Sequence, residues 1–415
     1  MKTISKKTVF ENEDGDRLAA RLDLPATKPR AYALFAHCFT CSKDVAASAR
    51  ISRELAAHGW GVLRFDFTGL GNSEGDFENT NYSSNVEDLI SAASFLRREY
   101  GAPVLLIGHS LGGAAVLAAA AHIPEVLCVV TIGAPGTPRH VRHLFSDSVG
   151  EIQKSGHAAV SIAGRTFRIK RHFLEDLDLH DAAERIRNLG KALLVLHSPS
   201  DEIVEIENAR KIYDAAKHPK SFIALPDSDH LLSRRQDAAY VAGVIVAWVS
   251  RYIDFSDAEP ETRQSLPAGT IRLQEGDTKY LQSVLTSDHE MIVDEPASIG
   301  GGNLGPGPYD YLLAALVSCT SVTLRMYADR KGWSLDDIRM SASHRRVHAD
   351  DCADCESGEG RIDEITVELE VTGDLDETQR SRLYEIAQLC PVHKTLTTET
   401  KIRIQGARFE APPQQ

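Results

Sequence analysis

The sequence predicts two folded units of different class: an α/β unit with a mainly parallel sheet and helices on both faces, followed by an α+β unit. The 415-residue length is the first reason, because one hydrophobic core rarely serves more than roughly 300 residues. A second reason is that short apolar runs alternate with helix-like segments in the first part of the chain. After residue 270, runs in which apolar and polar residues alternate take their place.

Six short apolar runs without polar alternation predict strands that are buried on both faces. They occupy residues 31–36, 61–66, 103–108, 127–132, 192–197 and 221–225. Helix-like segments at 46–58, 81–100, 113–122 and 238–253 lie between or after them. Strict alternation of strands and helices predicts a mainly parallel sheet covered on both sides.

Two polar segments interrupt this pattern. Residues 137–187, rich in His and Arg, lie between two core strands, and we interpret them as a small helical insertion able to act as a lid. Residues 255–269 are acidic and polar and contain two prolines, which is typical of a linker. The first domain is therefore expected to be residues 1–254.

The rest of the chain, residues 270–410, predicts a second domain of α+β class. Alternating runs predict antiparallel strands at 270–273, 280–285, 338–344, 362–371 and 401–404. Helices are expected at 309–332 and 377–388, and a Gly-rich stretch at 300–308 precedes the first of them.

Charge and hydropathy restrict the class of partner. The net charge of -13 argues against nucleic acid or an anionic membrane as the main partner. No apolar run reaches the ~18 residues of a membrane span, and none near the N-terminus is long enough for a signal peptide. We therefore expect a cytoplasmic protein.

The sequence Gly108-His-Ser-Leu-Gly112 places Ser110 between an apolar strand and an Ala-rich helix. Small residues permit the sharp turn that raises a serine hydroxyl above the sheet, so Ser110 is the expected nucleophile. The helix that follows directs N–H groups towards developing negative charge, and the N–H of Leu111 is the expected oxyanion donor.

A serine nucleophile needs a base and an acid that orients the base. Asp201 follows one core strand and His230 follows the next, which gives the chain order Ser, Asp, His of such sheets. Asp227 and Asp229 are alternative acids because they are close to His230 in sequence. A separate loop gives the required geometry more readily, which favours Asp201.

These motifs resemble the α/β-hydrolase superfamily, and the resemblance implies that fold for the first domain. Its members often carry His-Gly-x in the loop after the first core strand of this unit, and this chain has His37-Cys38-Phe39-Thr40 there. The match implies that Phe39 supplies the second oxyanion N–H. Residues 64–73 are similar to the superfamily's D-x-x-G-x-G-x-S loop, in which Asp66 has a structural role.

The chain has seven cysteines, and an odd number in a large cytosolic chain argues against a disulfide framework. Cys38 and Cys41 form a C-x-x-C pair that is interpreted as loop packing, with a redox or metal pair as the alternative. Cys352 and Cys355 form another, interpreted as a surface loop or reversible disulfide. Zinc needs about four ligands, so no metal is expected, and no cofactor is expected either.

Two further cysteines lie in distinctive contexts. Cys319 is inside an apolar helix, where a buried core cysteine is the ordinary role. Cys390 precedes Pro391, which can begin a helix and so place the thiol at a positive N-terminus that favours thiolate.

The motifs around them resemble the OsmC family of osmotically inducible and organic hydroperoxide resistance proteins. They are Val293-Asp-Glu-Pro296, then Gly305-Pro-Gly-Pro308 leading to Ser318-Cys319, then Cys390-Pro-Val-His393. The resemblance implies a homodimer, a peroxidatic cysteine at Cys319 and a resolving cysteine at Cys390. It places Asp310 where family members have an assisting Glu, and Arg272 is the positional candidate for the assisting Arg.

The sequence thus predicts a bifunctional enzyme: a serine hydrolase of ester or acyl substrates fused to a domain that reduces organic hydroperoxides with a thiol reductant. An alternative keeps the hydrolase active and makes the second domain a module for dimerisation or ligand binding. A third, an inactive hydrolase used as a scaffold, conflicts with the presence of all three triad residues.

Overall fold

The computed structural model describes residues 3–37, 42–162, 165–180, 182–254, 266–276, 278–348 and 361–405. The chain divides into two compact units, Met1–Ile292 and Val293–Gln415. This division lies beyond the predicted linker, of which residues 255–265 are outside the described part. Consequently, strands that the sequence assigned to the second domain belong to the first compact unit.

The first unit is built on an eight-stranded sheet and two smaller sheets. Its strands are β1 (Thr3–Glu11), β2 (Arg17–Pro25), β3 (Ala31–Ala36), β4 (Trp60–Phe65), β5 (Pro103–His109), β6 (Cys128–Ile132), β7 (His157–Ile162), β8 (Arg165–Lys170), β9 (Ala192–His197), β10 (Lys220–Ala224), β11 (Arg272–Glu275), β12 (Gln282–Leu285) and β13 (Glu290–Val293). The large sheet has the order β1-β2-β4-β3-β5-β6-β9-β10, and β11-β12-β13 form a three-stranded sheet.

All six predicted core strands lie in the large sheet, and they pair in parallel from β4 to β10. The prediction of a mainly parallel sheet is therefore confirmed. The antiparallel hairpin β1–β2 at one edge was not predicted. Most of β1 is exposed and contains Lys6 and Lys7, so it lacks the continuous apolar run of an inner strand.

Helices cover both faces of this sheet. They are α1 (Ala46–Ala57), α2 (Tyr82–Glu99), α3 (Leu111–Ala119), α4 (Val149–Ser155), α5 (Arg171–Leu179), α6 (Ala182–Arg187), α7 (Glu207–Ala215) and α8 (Arg235–Val249). One apolar core contains Leu96 of α2 and Val116 of α3, and the other contains Ile51 of α1 and Val241 of α8. Two cores on opposite faces are the arrangement expected for parallel strands buried on both sides.

The insertion between β6 and β9 is only partly helical. It contains a 3₁₀ helix at Pro138–Ser148 and α4, α5 and α6, as predicted. It also contains an antiparallel hairpin, β7–β8, which was not predicted. Val160, Phe167 and Ile169 are buried in the apolar core. Phe167 and Ile169 show the alternation of period two that distinguishes a half-buried strand from a helix.

The second unit has the predicted α+β composition. It contains α9 (Pro308–Lys331), β14 (Asp337–His348), β15 (Arg361–Thr372), α10 (Glu377–Ala387) and α11 (Pro391–Thr397). Its small apolar core joins α9 to the β14–β15 hairpin and α10 through Leu324, Val371 and Leu383. Within the described residues, α9 is the one helix with the length and mean hydropathy of a membrane span, a test that core helices of soluble proteins also pass.

The strand predicted at 401–404 is not formed. Residues 401–405 have no regular structure, and the side chains of Ile402 and Ile404 are 85% and 97% exposed. A strand requires a neighbouring strand to pair its backbone groups, and no strand of the described chain pairs with this segment. The segment does have alternating apolar and polar residues, but the described residues contain no strand that pairs with it.

Candidate active site

Ser110 occupies a strained turn between β5 and α3. Its backbone has φ 55° and ψ −128°, in a region that a non-Gly residue adopts only at a cost. The flanking glycines permit this turn, because a Cβ on Gly108 would lie 2.3 Å from the Gly112 carbonyl oxygen. A Cβ on Gly112 would lie 2.5 Å from the His37 carbonyl oxygen. The G-x-S-x-G sequence is thus required by close backbone approach.

Three loops at the carboxyl ends of β5, β9 and β10 bring Ser110, Asp201 and His230 together. The Nε2 atom of His230 is 3.0 Å from Ser110 Oγ, and its Nδ1 atom is 2.8 Å from Asp201 Oδ2. A carboxylate only accepts, so Nδ1 carries the proton that His230 donates to Asp201. Nε2 is then free to accept the hydroxyl proton of Ser110.

The Asp201 carboxylate is buried yet ionised. Burial alone would raise its pKa, but hydrogen bonds from His230 and from the backbone N–H groups of Val204 and Ile203 outweigh that effect. The pKa of Asp201 consequently lies below the usual value. Both backbone N–H groups donate to Oδ1 at 2.9 Å, which leaves Oδ2 directed at His230.

The alternative acids have other positions. Asp229 Oδ1 accepts a hydrogen bond from the N–H of Ser233 at 2.9 Å. Asp227 lies at a left-handed turn with φ 55°. The carboxylate that accepts from His230 Nδ1 belongs to Asp201, which lies on the separate loop that sequence reasoning favoured.

Of the two expected oxyanion donors, the structure describes Leu111 but not Phe39. Leu111 is the first residue of α3, where backbone N–H groups have no acceptor within the helix. Phe39, together with Cys38 and Cys41, lies outside the described residues. Its role therefore stays a prediction.

Asp66 binds the backbone of two loop residues, Lys43 and Asn72. Its Oδ1 accepts from the N–H of Lys43 at 2.6 Å, and its Oδ2 lies 2.5 Å from Lys43 Nζ. Oδ2 also accepts from the N–H of Asn72 at 2.9 Å. A Cβ on Gly71, whose φ is +57°, would lie 2.2 Å from Asp66 Oδ2. These contacts fit the structural role implied by the D-x-x-G-x-G-x-S resemblance.

Three residues beside the triad were not identified from sequence. Gly133 follows β6 with φ +54°, and a Cβ there would lie 3.2 Å from Asp201 Oδ2 and 3.4 Å from His230 Nδ1. His109 and His197 are the buried last residues of β5 and β9. A glycine directly after a core strand was the available signal for Gly133. In the sequence, the two histidines look like ordinary core residues, because their contacts with the loops are visible only in the structure.

The second unit brings the two motif cysteines onto adjoining helices. Cys390 is fully buried, and its Sγ accepts hydrogen bonds from the His393 N–H and from Thr320 Oγ1, both at 3.2 Å. Thr320 is the residue after Cys319 on α9, so the tip of α11 packs beside the Cys319 turn. Cys319 is half-buried, and both cysteines are free thiols.

Asp310, one of the two predicted assistants of Cys319, lies at the start of the helix that carries Cys319. Asp310 caps α9, where its Oδ2 accepts from the Gly307 N–H at 2.8 Å. Cys319 lies nine positions after Asp310, which is about 13.5 Å along the helix axis at 1.5 Å per residue. Asp310 therefore does not contact Cys319 within a single chain, and its role as an assistant stays a prediction.

Arg272 lies on the exposed strand β11 of the first compact unit, and its role stays a prediction. Cys352 and Cys355 lie outside the described residues. Among the residues that the structure describes, no group of three or more His, Cys, Asp or Glu side chains is arranged to hold a metal ion.

Comparison with known families defines the class of protein. The alpha/beta hydrolase family matches residues 33–244, about half of the chain, so the protein belongs to that family. Residues 300–405 match OsmC-like protein. The chain is therefore an α/β hydrolase joined to an OsmC-like region, as the sequence motifs predicted.

Individual relatives agree with this assignment. The crystal structure of the esterase domain from a Rhodothermus marinus protein is 51% identical, with a TM-score of 0.51, and the match covers 61% of this chain and all of that one. The uncharacterized protein YfhR of Salmonella typhimurium is 27% identical, over 41% of this chain and 54% of that protein. Mouse palmitoyl-protein thioesterase ABHD10 is 25% identical, over 43% of this chain and 62% of that protein. The chain thus spans only about half the length of YfhR.

Proposed function

We propose that the first unit is a serine hydrolase of ester or acyl substrates and that the OsmC-like region reduces organic hydroperoxides with a thiol reductant. The observation that carries the hydrolase is the hydrogen-bonded series from Ser110 Oγ through His230 to Asp201. All three side chains belong to loops fixed by core strands, so the geometry is built before substrate arrives.

The proposed hydrolysis proceeds by acyl transfer. Ser110 Oγ attacks the acyl carbonyl carbon while His230 Nε2 takes the hydroxyl proton, and Asp201 stabilises the resulting imidazolium. The Leu111 N–H stabilises the oxyanion. The leaving alcohol takes the proton from His230, and water then attacks the acyl-enzyme with His230 again as base. The products are one acid and one alcohol.

One relative favours an ester substrate. The Rhodothermus marinus protein with half of its residues identical is described as an esterase domain. Hydrolysis rates across p-nitrophenyl esters of increasing chain length measure which acyl groups the site accepts.

The proposed peroxidase uses Cys319 and Cys390. The Cys319 thiolate attacks the peroxide O–O bond, forming a sulfenic acid and releasing an alcohol once the leaving oxygen takes a proton. Cys390 then attacks the sulfenic sulfur, forming a disulfide and water, and two thiols of an external reductant restore both cysteines. The packing of Cys390 against Thr320, the neighbour of Cys319, supports a step between these two residues.

Replacement of Cys319 by Ser is expected to abolish hydroperoxide consumption with dithiothreitol and to leave ester hydrolysis unchanged. Cys390→Ser should instead let Cys319 react once and accumulate as a sulfenic acid that dimedone traps, because the resolving thiol is missing. Mass spectrometry of peroxide-treated protein measures both. The buried Cys128→Ser variant is the control, since that thiol is remote from both motifs in sequence.

Peroxide consumption that survives in Cys319→Ser would contradict the assignment. A wild-type protein that consumes no peroxide would favour the alternative, in which the OsmC-like region serves dimerisation or ligand binding.

We also propose that the chain forms a homodimer through its OsmC-like region. In the single chain, α9 leaves Val322 58% and Met326 67% exposed, and Ile402 and Ile404 are almost wholly exposed. Val322 and Met326 are four residues apart on one face of α9, and neighbouring exposed apolar side chains mark an interaction surface. Sedimentation equilibrium is expected to give twice the chain mass, and a monomer at micromolar concentration would contradict this assembly.

A further inference from the structure

Two buried histidines lie beside the triad and have no part in the proton transfers described above. His109 ends β5 directly before Ser110, and His197 ends β9 four residues before Asp201. His109 is thus next to Ser110 in sequence and contacts the loop of His230, whereas His197 precedes the loop of Asp201 and contacts that same loop. Their hydrogen bonds show what each imidazole holds.

His109 is bonded to the backbone of His230. Its Nε2 atom lies 2.7 Å from the His230 carbonyl oxygen, and the two rings lie 5.1 Å apart between centroids. A carbonyl oxygen only accepts, so Nε2 of His109 carries the donated proton. The side chain that precedes the nucleophile therefore fixes the peptide of the general base.

The His109 ring stays neutral while it does so. Burial lowers the pKa of His109 to about 3, and the neighbouring His230 contributes further to this lowering. A neutral donor at this position adds no positive charge beside the imidazolium that forms on His230 during catalysis. Hydrogen bonding, not charge, is what His109 supplies.

The loop that carries His230 needs such an anchor. Asp227 and Leu232, on either side of His230, have φ values of 55° and 50°, which bulky residues adopt only when surrounding contacts compensate. The Asp229 carboxylate closes the loop on the Ser233 N–H. The bond from His109 ties the middle of this strained loop to the end of β5.

His197 gives independent support, because it makes the same kind of contact on the acid loop. Its Nε2 atom lies 2.7 Å from the Val204 carbonyl oxygen, and burial lowers its pKa. The loop from 198 to 204 is thereby closed beneath Asp201. In both cases a buried imidazole at the end of a parallel strand is bonded to a carbonyl oxygen of a loop that carries a triad residue, His230 or Asp201.

We propose that His109 is a positioning residue for hydrolysis, whose Nε2–H holds the His230 carbonyl so that the imidazole stays aligned with Ser110. This inference rests on the proposed serine hydrolase activity. His109 acts through His230 and does not contact the substrate in this scheme. Loss of its donor should therefore lower turnover while leaving the affinity for substrate unchanged.

The test compares His109→Gln with His109→Met in the full chain. The Gln amide retains a donor near the position of Nε2, whereas Met has a similar length and shape but no donor. The Met variant is expected to lose about 10²-fold in kcat for a p-nitrophenyl ester, the size of effect that follows a small misplacement of a catalytic group. KM should stay unchanged, and the Gln variant should retain most of the wild-type kcat.

Thermal unfolding of both variants separates this role from a purely structural one. If Met prevents folding, His109→Asn replaces it, because the shorter amide leaves the His230 carbonyl without a donor in reach. Equal kcat values for the Gln variant and the donor-free variant would overturn the inference. The proposed function would still stand in that case, provided that the wild-type protein hydrolyses the ester and that this activity depends on Ser110. Absence of any Ser110-dependent hydrolysis in wild type overturns both.

Discussion

Replacement of Ser110 by Ala is expected to lower ester turnover by about 10⁶-fold, the loss seen when a serine nucleophile is removed from a working triad. The reason is geometric: Ser110 Oγ is the atom within 3.0 Å of the general base His230. Its hydroxyl has no other proposed duty. Rates with p-nitrophenyl butyrate measure the effect, and circular dichroism checks that the fold is retained.

Ser250→Ala is the matched control for this change. Ser250 is exposed after α8, and its hydroxyl donates to the Ala247 carbonyl at the same helix end. The control variant should hydrolyse the ester at the wild-type rate. Retention of substantial turnover by the Ser110→Ala variant would show that another group is the nucleophile.

Replacement of Asp201 by Asn is expected to lower kcat by about 10⁴-fold, as in other triads where the acid becomes an amide. The N–H groups of Ile203 and Val204 will retain the amide oxygen, since both now donate to Oδ1. The amide NH₂ then faces His230 Nδ1 and forces the proton onto Nε2. In that tautomer, His230 cannot accept the proton of Ser110.

Asp227→Asn and Asp229→Asn supply the comparison for Asp201. Neither carboxylate accepts from His230 Nδ1 in the structure, because Asp201 does so at 2.8 Å. Both variants should keep kcat within a small factor of wild type. Greater damage from Asp227→Asn than from Asp201→Asn would mean that the acid has been wrongly assigned.

The fold was predictable where the strands are mostly buried. The strands that became β3 to β6 and β9 are mostly buried on both faces, so their sequence signal does not depend on neighbours. The edge strand β10 is only partly buried, and its short apolar run still predicted it. The hairpins β1–β2 and β7–β8 carry Lys and Arg on an exposed face and gave no such run. Residues 401–404 have the apolar–polar alternation of a strand, but a strand forms only beside a neighbouring strand, and the sequence does not show which strand would be its neighbour.

The site was predictable where residues adjoin a strand end. Ser110, Asp201 and His230 were each identifiable because they lie in loops that follow strands of the sheet, and parallel strands place their carboxyl ends at one edge. Ser110 comes directly after β5, Asp201 four residues after β9 and His230 six residues after β10. Gly133 and His109 escaped notice because their roles depend on distances between loops. A Cβ at Gly133 would lie 3.2 Å from Asp201 Oδ2, and His109 is bonded to the His230 carbonyl. Neither contact can be inferred before the order of the strands in the sheet is known.

In the OsmC-like region, the resemblance pointed to both cysteines and to Asp310, but it did not show which of these residues are in contact within one chain. Asp310 was matched by its position in the motif, whereas helix geometry keeps it about 13.5 Å along the axis from Cys319. The bond from Thr320 to Cys390 was also invisible in sequence, since 70 residues separate the two. The order of the motifs therefore predicts which residues are candidates for the site, but it does not predict which of them are in contact.

The central claim is that Ser110 is the activated nucleophile of a hydrolase. Reaction of the full chain with a fluorophosphonate, followed by peptide mass spectrometry, tests it most directly. We expect a single adduct on the peptide that contains Ser110, a reaction rate that falls in Asp201→Asn, and no adduct in Ser110→Ala. An adduct on another serine, or persistent labelling of the Ser110→Ala variant, would contradict the claim.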